Sequence, residues 1–180
     1  MKINKGHILL AGAGVAAVIV AFSSCATLPK GAVAVDHFDK DRYLGTWYEI
    51  ARFDFRFEKN LDHVTATYSL NDDKSIRVDN KGYDTVQKKW KESIGKAKFV
   101  GSDYEGRLKV SFFGPFYAGY NVIAIDKDYK YAMVAGNNLK YLWLLSREPT
   151  MPATYITRYL KQAKNLGYDV SKLVWTNQAR

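Results

Sequence analysis

The chain has 180 residues, of which 47% are hydrophobic and 14% aromatic, and its formal net charge is +9. This length suffices for one domain with a complete core, and the apolar content excludes an intrinsically disordered chain. A single cysteine excludes an internal disulfide bond. The sequence has no internal repeat and no low-complexity tract.

The first 24 residues have the pattern of an export signal. Lys2 and Lys5 form a basic start, and residues 8–22 are an apolar run rich in small side chains. This run is shorter than the roughly 20 residues that a membrane-spanning helix needs. Small residues then stand directly before the only cysteine, Cys25, as at a signal-peptide cleavage site.

Cys25 at this place resembles the lipobox of bacterial lipoproteins, in which the cysteine carries the lipid. An ordinary signal peptide with an incidental cysteine is the alternative. Because an unpaired thiol is a liability in an exported protein, we expect Cys25 to be lipidated. Residues 1–24 are then a lipoprotein signal peptide, and residues 25–38 a lipidated N-terminus and tether. Ala26 replaces the Asp that marks inner-membrane retention, which predicts an outer-membrane protein facing the periplasm.

Residues 39–180 are the predicted folded domain, in which apolar and polar side chains alternate over short stretches. Between residues 63 and 70, for example, every second residue is apolar. Eight such segments begin at Trp47 and continue over residues 63–70, 76–83, 89–99, 107–112, 120–126, 130–136 and 140–147. Because no helix separates them, we predict an all-β fold, an eight-stranded antiparallel up-and-down barrel, rather than a parallel sheet.

The alternation also assigns one face of each strand to the interior of the barrel. Leu70 belongs to that face, whereas the side on which Trp90 lies stays open. A barrel of this size can hold one small apolar ligand. The residues that we expect to contact it are Ala66, Tyr68, Val78, Asn80, Gly95, Ala97, Val110, Phe112, Tyr141 and Trp143.

One C-terminal α-helix is predicted after the strands. Thr150 is a suitable N-cap, Pro152 fits the first turn, and Gly167 fits the C-terminal end. Apolar residues recur between these positions at helical spacing, so that one stripe of the helix packs on the barrel wall. Residues 173–175 are predicted to form a short final strand.

Counting turns assigns each loop to one end of the barrel, since alternate turns of a meander share an end. Gly45, Trp47, Asp126 and Arg147 fall at one end, where Arg147 is expected to stack on the Trp47 indole. The opposite, open end fits a lid, a membrane-touching edge or the surface of a homodimer. Its two aromatic loops carry Phe55, Phe57, Phe113, Phe116 and Tyr117.

Three motifs in chain order resemble signatures of the lipocalin family. Residues 45–47 (Gly-Thr-Trp) match the first, residues 126–129 stand in the place of the second, and residues 144–147 resemble the third. In that family the arginine of the third motif packs on the tryptophan of the first. The resemblance spans residues 36–177 and extends to the bacterial lipoprotein lipocalins and their apolipoprotein D-like animal relatives, through residues 43–52 and 110–117.

The resemblance implies a lipid-binding protein, anchored in the outer membrane, that holds fatty acids or lysophospholipids for storage, transport or repair in the envelope. It implies no cofactor and no metal, and it makes Gly45, Trp47, Asp126 and Arg147 structural. A phosphate or carboxylate headgroup is expected to stay near the open end. The cations within reach there are Arg56, Lys59, Lys88 and Lys89.

Other functions fit these residues less well. An enzyme needs a nucleophile with a positioned base, but only His37 and His63 remain after signal removal, and neither lies in a catalytic motif. Scattered basic residues and export favour an anionic membrane over a nucleic acid as the partner. A structural envelope lipoprotein without a ligand is the main alternative, and an enzyme with a lipocalin fold is the second.

Overall fold

A computed structural model describes residues 27–179. The predicted signal peptide and Cys25 lie outside these described residues. The described part contains nine strands: β1 Gly45–Phe53, β2 Leu61–Leu70, β3 Ile76–Asp84, β4 Lys89–Phe99, β5 Arg107–Phe113, β6 Phe116–Ile125, β7 Tyr131–Ala135, β8 Leu142–Ser146 and β9 Leu173–Trp175. It also contains the helices α1 Lys40–Tyr43 and α2 Ala153–Asn165, and a short 3-10 helix at Val170–Lys172.

The first eight strands form a closed antiparallel barrel. Each strand from β1 to β8 pairs with the next one, and β8 pairs back with β1. The predicted eight-stranded up-and-down barrel is therefore confirmed. Strand β6 starts four residues earlier than predicted, at Phe116. The β5–β6 connection is a turn of only two residues, which lets Phe113 pair with Phe116.

The C-terminal segment completes the barrel wall. Strands β1 and β2 pair only over residues 45–48 and 65–68, and they diverge above that point. β9 pairs with the upper part of β1, and residues 176–178 continue into the gap. There Thr176 donates its backbone N–H to the Ile50 carbonyl at 3.1 Å. Gln178 Nε2 bridges the two strands by donating to the carbonyls of Glu49 at 2.8 Å and Val64 at 2.9 Å.

Helix α2 packs on the outside of the wall, as predicted. Tyr159 and Ala163 are its buried residues, and they belong to an apolar cluster with the outward side chains of β7 and β8. The predicted N-cap, Thr150, is wrong. The helix begins at Ala153, directly after Pro152, and the Thr150 carbonyl instead accepts a hydrogen bond from Ser146 Oγ at 2.8 Å. Gly167, with φ +93°, follows the helix end as predicted.

The segment before α1, which the sequence analysis assigns to a tether, packs against the barrel. Phe38 is only 3% exposed and belongs to the lumen-side core. Val35 exchanges backbone hydrogen bonds with Val122 and Gly106, both at 2.8 Å. Burial of these two apolar side chains stabilises the docked arrangement. Residues 27–38 therefore pack as part of the folded domain.

Candidate functional site

The closed end of the barrel is built around Trp47, which is fully buried. Arg147 Cζ lies 3.9 Å from the centre of the Trp47 ring, which is the stacking predicted from the turn count. Gly45, with φ +92°, leaves room for this guanidinium, because a Cβ atom there would lie 3.3 Å from Arg147 Nη1. The guanidinium also donates to backbone carbonyls at 2.7–3.0 Å, those of Arg42, Tyr43, Leu44 and Thr46.

Asp126 organises the β6–β7 turn at the same end. Its buried carboxylate accepts backbone hydrogen bonds from Asp128 at 2.9 Å and from Lys130 and Tyr131 at 2.6 Å. This turn carries Tyr129, whose hydroxyl accepts a hydrogen bond from the backbone of Asp39, just before α1. The four signature residues therefore hold the floor of the barrel together.

The lumen above this floor is lined by the residues that the alternation selects. Paired residues of antiparallel strands share a face of the sheet. Ala66 pairs with Asn80, and Val78 pairs with Gly95; both pairs face inward, toward the buried core. Ala97 with Val110 continues the row. All ten predicted lumen residues lie on this inner face or, for Tyr141, directly before β8 and stacked on Trp143 at 6.3 Å.

Two predictions about strand faces are resolved by the structure. Leu70 pairs with the buried, inward-facing Ile76 and so lies on the predicted face, but it is 48% exposed because β2 ends there. Trp90, which the sequence left open, lies outside the lumen and is 52% exposed. It packs on Tyr83 at 5.6 Å, and Lys81 Nζ lies 5.2 Å from its ring centre.

The lumen is accessible to solvent. Ala118 is paired with the inward-facing Val110, yet it is exposed. Val110, Tyr120 and Trp143 on the same inner face are only partly buried. Side chains inside a closed barrel can be exposed only if the interior is not filled.

Three tyrosine hydroxyls meet just above the floor. Tyr120 Oη lies 2.6 Å from Tyr43 Oη and 2.8 Å from Tyr68 Oη. Burial raises the pKa of each of the three, so all keep their protons at neutral pH. Three hydroxyls carry three donor hydrogens, and the two hydrogen bonds use only two of them. One donor is therefore left for a ligand oxygen or a water molecule.

A buried charged cluster lies higher in the barrel, and the sequence analysis did not find it. Arg52 is 1% exposed and Glu49 3% exposed, and Arg52 Nη1 donates to Glu49 Oε1 at 2.7 Å. The Thr176 hydroxyl also contacts Glu49. Arg52 additionally donates to the Glu58 carbonyl at 2.7 Å and the Leu61 carbonyl at 3.1 Å. Arg52 thereby ties the loop between β1 and β2 to the barrel.

Glu58 of that loop points back toward the lumen, where its Oε2 accepts a hydrogen bond from Trp143 Nε1 at 3.0 Å. Burial, together with the negative charge of Glu49, raises the pKa of Glu58 from 4.5 to about 8. The folded state therefore favours the protonated carboxyl. This contribution to stability is complete below pH 4.5, the unfolded pKa, and is lost as the pH rises toward about 8.

We expect Glu58→Gln to remove this pH dependence. The amide mimics the protonated acid and can still accept from Trp143. The free energy of unfolding of the variant should match the wild type near pH 4 and exceed it at pH 8 by at least about 1 kcal/mol. Urea unfolding at both pH values measures this, with the exposed Glu148→Gln as the control. Parallel curves for Glu58→Gln and the wild type would contradict the assignment.

The open end of the barrel, or mouth, is rich in aromatic rings. Phe55 packs edge-on against Tyr141 at 5.6 Å and Trp143 at 5.9 Å, so the β1–β2 loop leans over the lumen. Phe57 of the same loop reaches Phe113 at the end of β5, with ring centres 6.1 Å apart. Loops from two sides of the barrel therefore meet across the mouth.

A family model described as a lipocalin-like domain matches residues 38–178. The chain belongs to the lipocalin family. Outer membrane lipoprotein Blc of Escherichia coli K12 is 52% identical over 169 residues, which cover 94% of this chain and 96% of that one. A protein of the same name from Vibrio cholerae is 43% identical, with coverage of 88% and 94%. Mouse apolipoprotein D is 34% identical, with coverage of 80% and 79%.

Solved lipocalin structures share the barrel at low sequence identity. Insecticyanin from the tobacco hornworm superposes with a TM-score of 0.69 and 19% identity, covering 86% of this chain and 88% of its own. Lobster apocrustacyanin A1 gives a TM-score of 0.63 at 20% identity, with coverage of 86% and 94%. These likenesses support the fold of this lipocalin.

Two features are absent from residues 27–179: a cluster of metal-binding side chains and a membrane-spanning helix. No group of three or more His, Cys, Asp and Glu side chains in residues 27–179 is placed to hold a metal ion. Neither described α-helix has the length and apolar character that a bilayer crossing requires.

Proposed function

We propose that this lipocalin is a lipid-anchored outer membrane lipoprotein that holds a fatty acid or a lysophospholipid in its barrel. Storage, transport or repair in the cell envelope follows from such binding. The observation that carries the proposal is the open lumen: exposed Ala118 and partly buried Val110 and Tyr120 face the inside of a closed barrel. Relatives at 43–53% identity are named outer membrane lipoprotein Blc, which supports the proposed location and a lipid anchor on Cys25.

The lining suits an acyl chain. Ala66, Val78, Ala97 and Val110 give a smooth apolar wall, and Phe112 packs over Gly95. A Cβ at Gly95 would lie 2.8 Å from the Phe112 ring, so glycine is needed for that ring to lie flat against the wall. Each buried methylene contributes about 0.8 kcal/mol to binding. A long single chain can therefore bind tightly even after the cost of ordering it is subtracted.

The two ends of the lumen provide polar contacts. The free tyrosine donor near the floor can bind the oxygen of a fatty acid that enters carboxyl-first. A larger lysophospholipid headgroup stays at the mouth, where Arg56, Lys59 and Lys88 are exposed.

The direct test is a titration of the protein without its anchor. Residues 26–180 contain both apolar clusters and all nine strands, so we expect this fragment to fold. After delipidation, fatty acid and lysophosphatidylethanolamine are added in turn and tryptophan fluorescence is followed. Saturable one-to-one binding at micromolar concentration or below is the expected result, since several kcal/mol of acyl burial remain after ordering costs. Absence of saturation with both lipids would favour a structural envelope role.

The tyrosine group makes a second prediction. Replacing Tyr43, Tyr68 and Tyr120 together by Phe removes every hydroxyl donor of the group, so the affinity for a fatty acid should fall about tenfold, as for a lost hydrogen bond to a charged group. The affinity for the methyl ester of the same acid should change less. Tyr155→Phe, on the outer helix α2, is the matched control. Equal affinities for the acid in all three proteins would mean that water satisfies the free donor.

A further inference from the structure

The mouth of the barrel exposes apolar side chains on three separate connections. We define the mouth surface as Phe57 of the β1–β2 loop, Val86 of the β3–β4 loop, and Phe113 and Phe116 at the β5–β6 turn. Their exposed fractions are 57%, 70%, 67% and 80%. Isolated exposed apolar residues are common, but four at one rim mark an interaction surface.

Basic side chains surround these apolar residues. Arg56 lies with its Cζ 4.4 Å from the Phe57 ring centre. Three acids of the same end are engaged, since Asp54 and Glu58 face Arg52, and buried Asp84 pairs with Lys91 at 2.6 Å. The mouth therefore presents a net positive rim. Its exposed cations are Arg56, Lys59, Lys88, Lys89 and Lys140.

The first described residue of the N-terminal segment, Thr27, also lies at the mouth. Thr27 Oγ1 donates to the carbonyl of Asn137, in the β7–β8 loop, at 3.3 Å, and Asn121 Nδ2 donates to the Thr27 carbonyl at 3.4 Å. Thr27, the first described residue, therefore lies beside the mouth and not beside the closed end. Cys25 is two residues before Thr27, so even fully extended chain separates them by only about 7 Å.

From these three observations we infer that the barrel docks mouth-first on a bilayer containing anionic phospholipid. Aromatic side chains insert at the headgroup level, basic side chains contact the lipid phosphates, and the anchor holds the rim against the surface. This inference rests on the proposed lipid-binding function and on lipidation of Cys25. Its consequence is that a lipid passes between the bilayer and the lumen without crossing bulk water.

Orientation can be measured with the full lipidated protein in vesicles of phosphatidylcholine and phosphatidylglycerol. An environment-sensitive fluorophore is attached to one introduced thiol, in Val86→Cys at the mouth or in Asp72→Cys in the β2–β3 turn at the closed end. The acylated sulfur of Cys25 does not react. Phospholipids with a nitroxide in the upper acyl chain should quench the label at position 86 and leave the label at position 72 unchanged.

Substitutions at the rim sharpen the test. Phe113→Ser combined with Phe116→Ser should reduce quenching at position 86, whereas Leu70→Ser, an exposed apolar residue outside the mouth, should not. Equal quenching at positions 72 and 86, or quenching at position 72 alone, would overturn the inference. A second outcome would also overturn the inference. In it, the label at position 86 is shielded from both water and nitroxide, and two copies of the protein cross-link through their mouths. Lipid affinity is measured separately, so its loss would reject the carrier and not the orientation.

Discussion

Arg52→Met should lower the free energy of unfolding by about 3–5 kcal/mol at neutral pH, the usual cost of removing one partner of a buried ion pair. The guanidinium is the cation that faces Glu49, which is 3% exposed and cannot move into water. Its loss also leaves the carbonyls of Glu58 and Leu61 without this donor. Because the free energy of unfolding of a domain of this kind is about 5–15 kcal/mol, the variant is expected to be only marginally stable.

The measurement is urea unfolding of residues 26–180, followed by tryptophan fluorescence. Arg77→Met is the matched control, since Arg77 is half-exposed on the outer face and pairs with Asp79 at 3.3 Å. Its effect should stay below about 1 kcal/mol. The double variant Glu49→Gln with Arg52→Met should recover part of the loss, because no carboxylate is then left unpaired. A loss within about 1 kcal/mol for Arg52→Met alone would show that water reaches the cluster.

The sequence predicts the barrel well but not this cluster, for a reason that lies in the register of β1. Simple alternation from Trp47 places Glu49 and residue 51 inside and Arg52 outside. A bulge between Glu49 and Ala51 shifts the pairing with β8, so Arg52 pairs with the inward-facing Trp143. Position and side of a bulge depend on the partner strand and on the returning C-terminal segment, neither of which local periodicity records.

The sequence pattern predicts only part of the tyrosine group, for a similar reason. Tyr68 follows from the alternation of β2, whereas Tyr43 belongs to the short helix α1 and enters the lumen from outside the strand pattern. Tyr120 lies well inside β6, a strand that was predicted to begin at that residue. Contacts among residues 52 to 77 positions apart in sequence are set by closure of the barrel. The floor was more predictable, because the turn count alone brings Trp47 and Arg147 together.

The N-terminal segment shows the same limit. Residues 27–38 have no periodic pattern, and composition favoured a tether. Their docking depends on individual apolar side chains, chiefly Phe38, that find complementary space at the closed end. The segment runs along the barrel from one end to the other. Thr27 lies at the mouth, whereas α1, which follows the segment, supports the floor. The segment thus brings Thr27 beside Asn137 of the β7–β8 loop, although the two residues are distant in sequence.

The lumen itself is tested most strongly by Ala118→Trp, which should reduce the affinity for a fatty acid by at least about 100-fold. Ala118 faces inward beside Val110 and is exposed, so an indole there occupies open lumen without displacing the packed core. Excluding four methylenes of the acyl chain forfeits about 3 kcal/mol, which corresponds to that factor.

Ile94→Trp adds the same indole to an exposed position on the outer face of β4 and should leave the affinity unchanged. Both variants should unfold within a few degrees of the wild type, because neither position is packed in the described core, and thermal unfolding checks this before the titration. A folded Ala118→Trp protein with wild-type affinity would place the lipid outside the barrel. A loss restricted to Ala118→Trp would locate the acyl chain in the lumen beside Ala118, because Ile94→Trp adds the same indole only to the outer face.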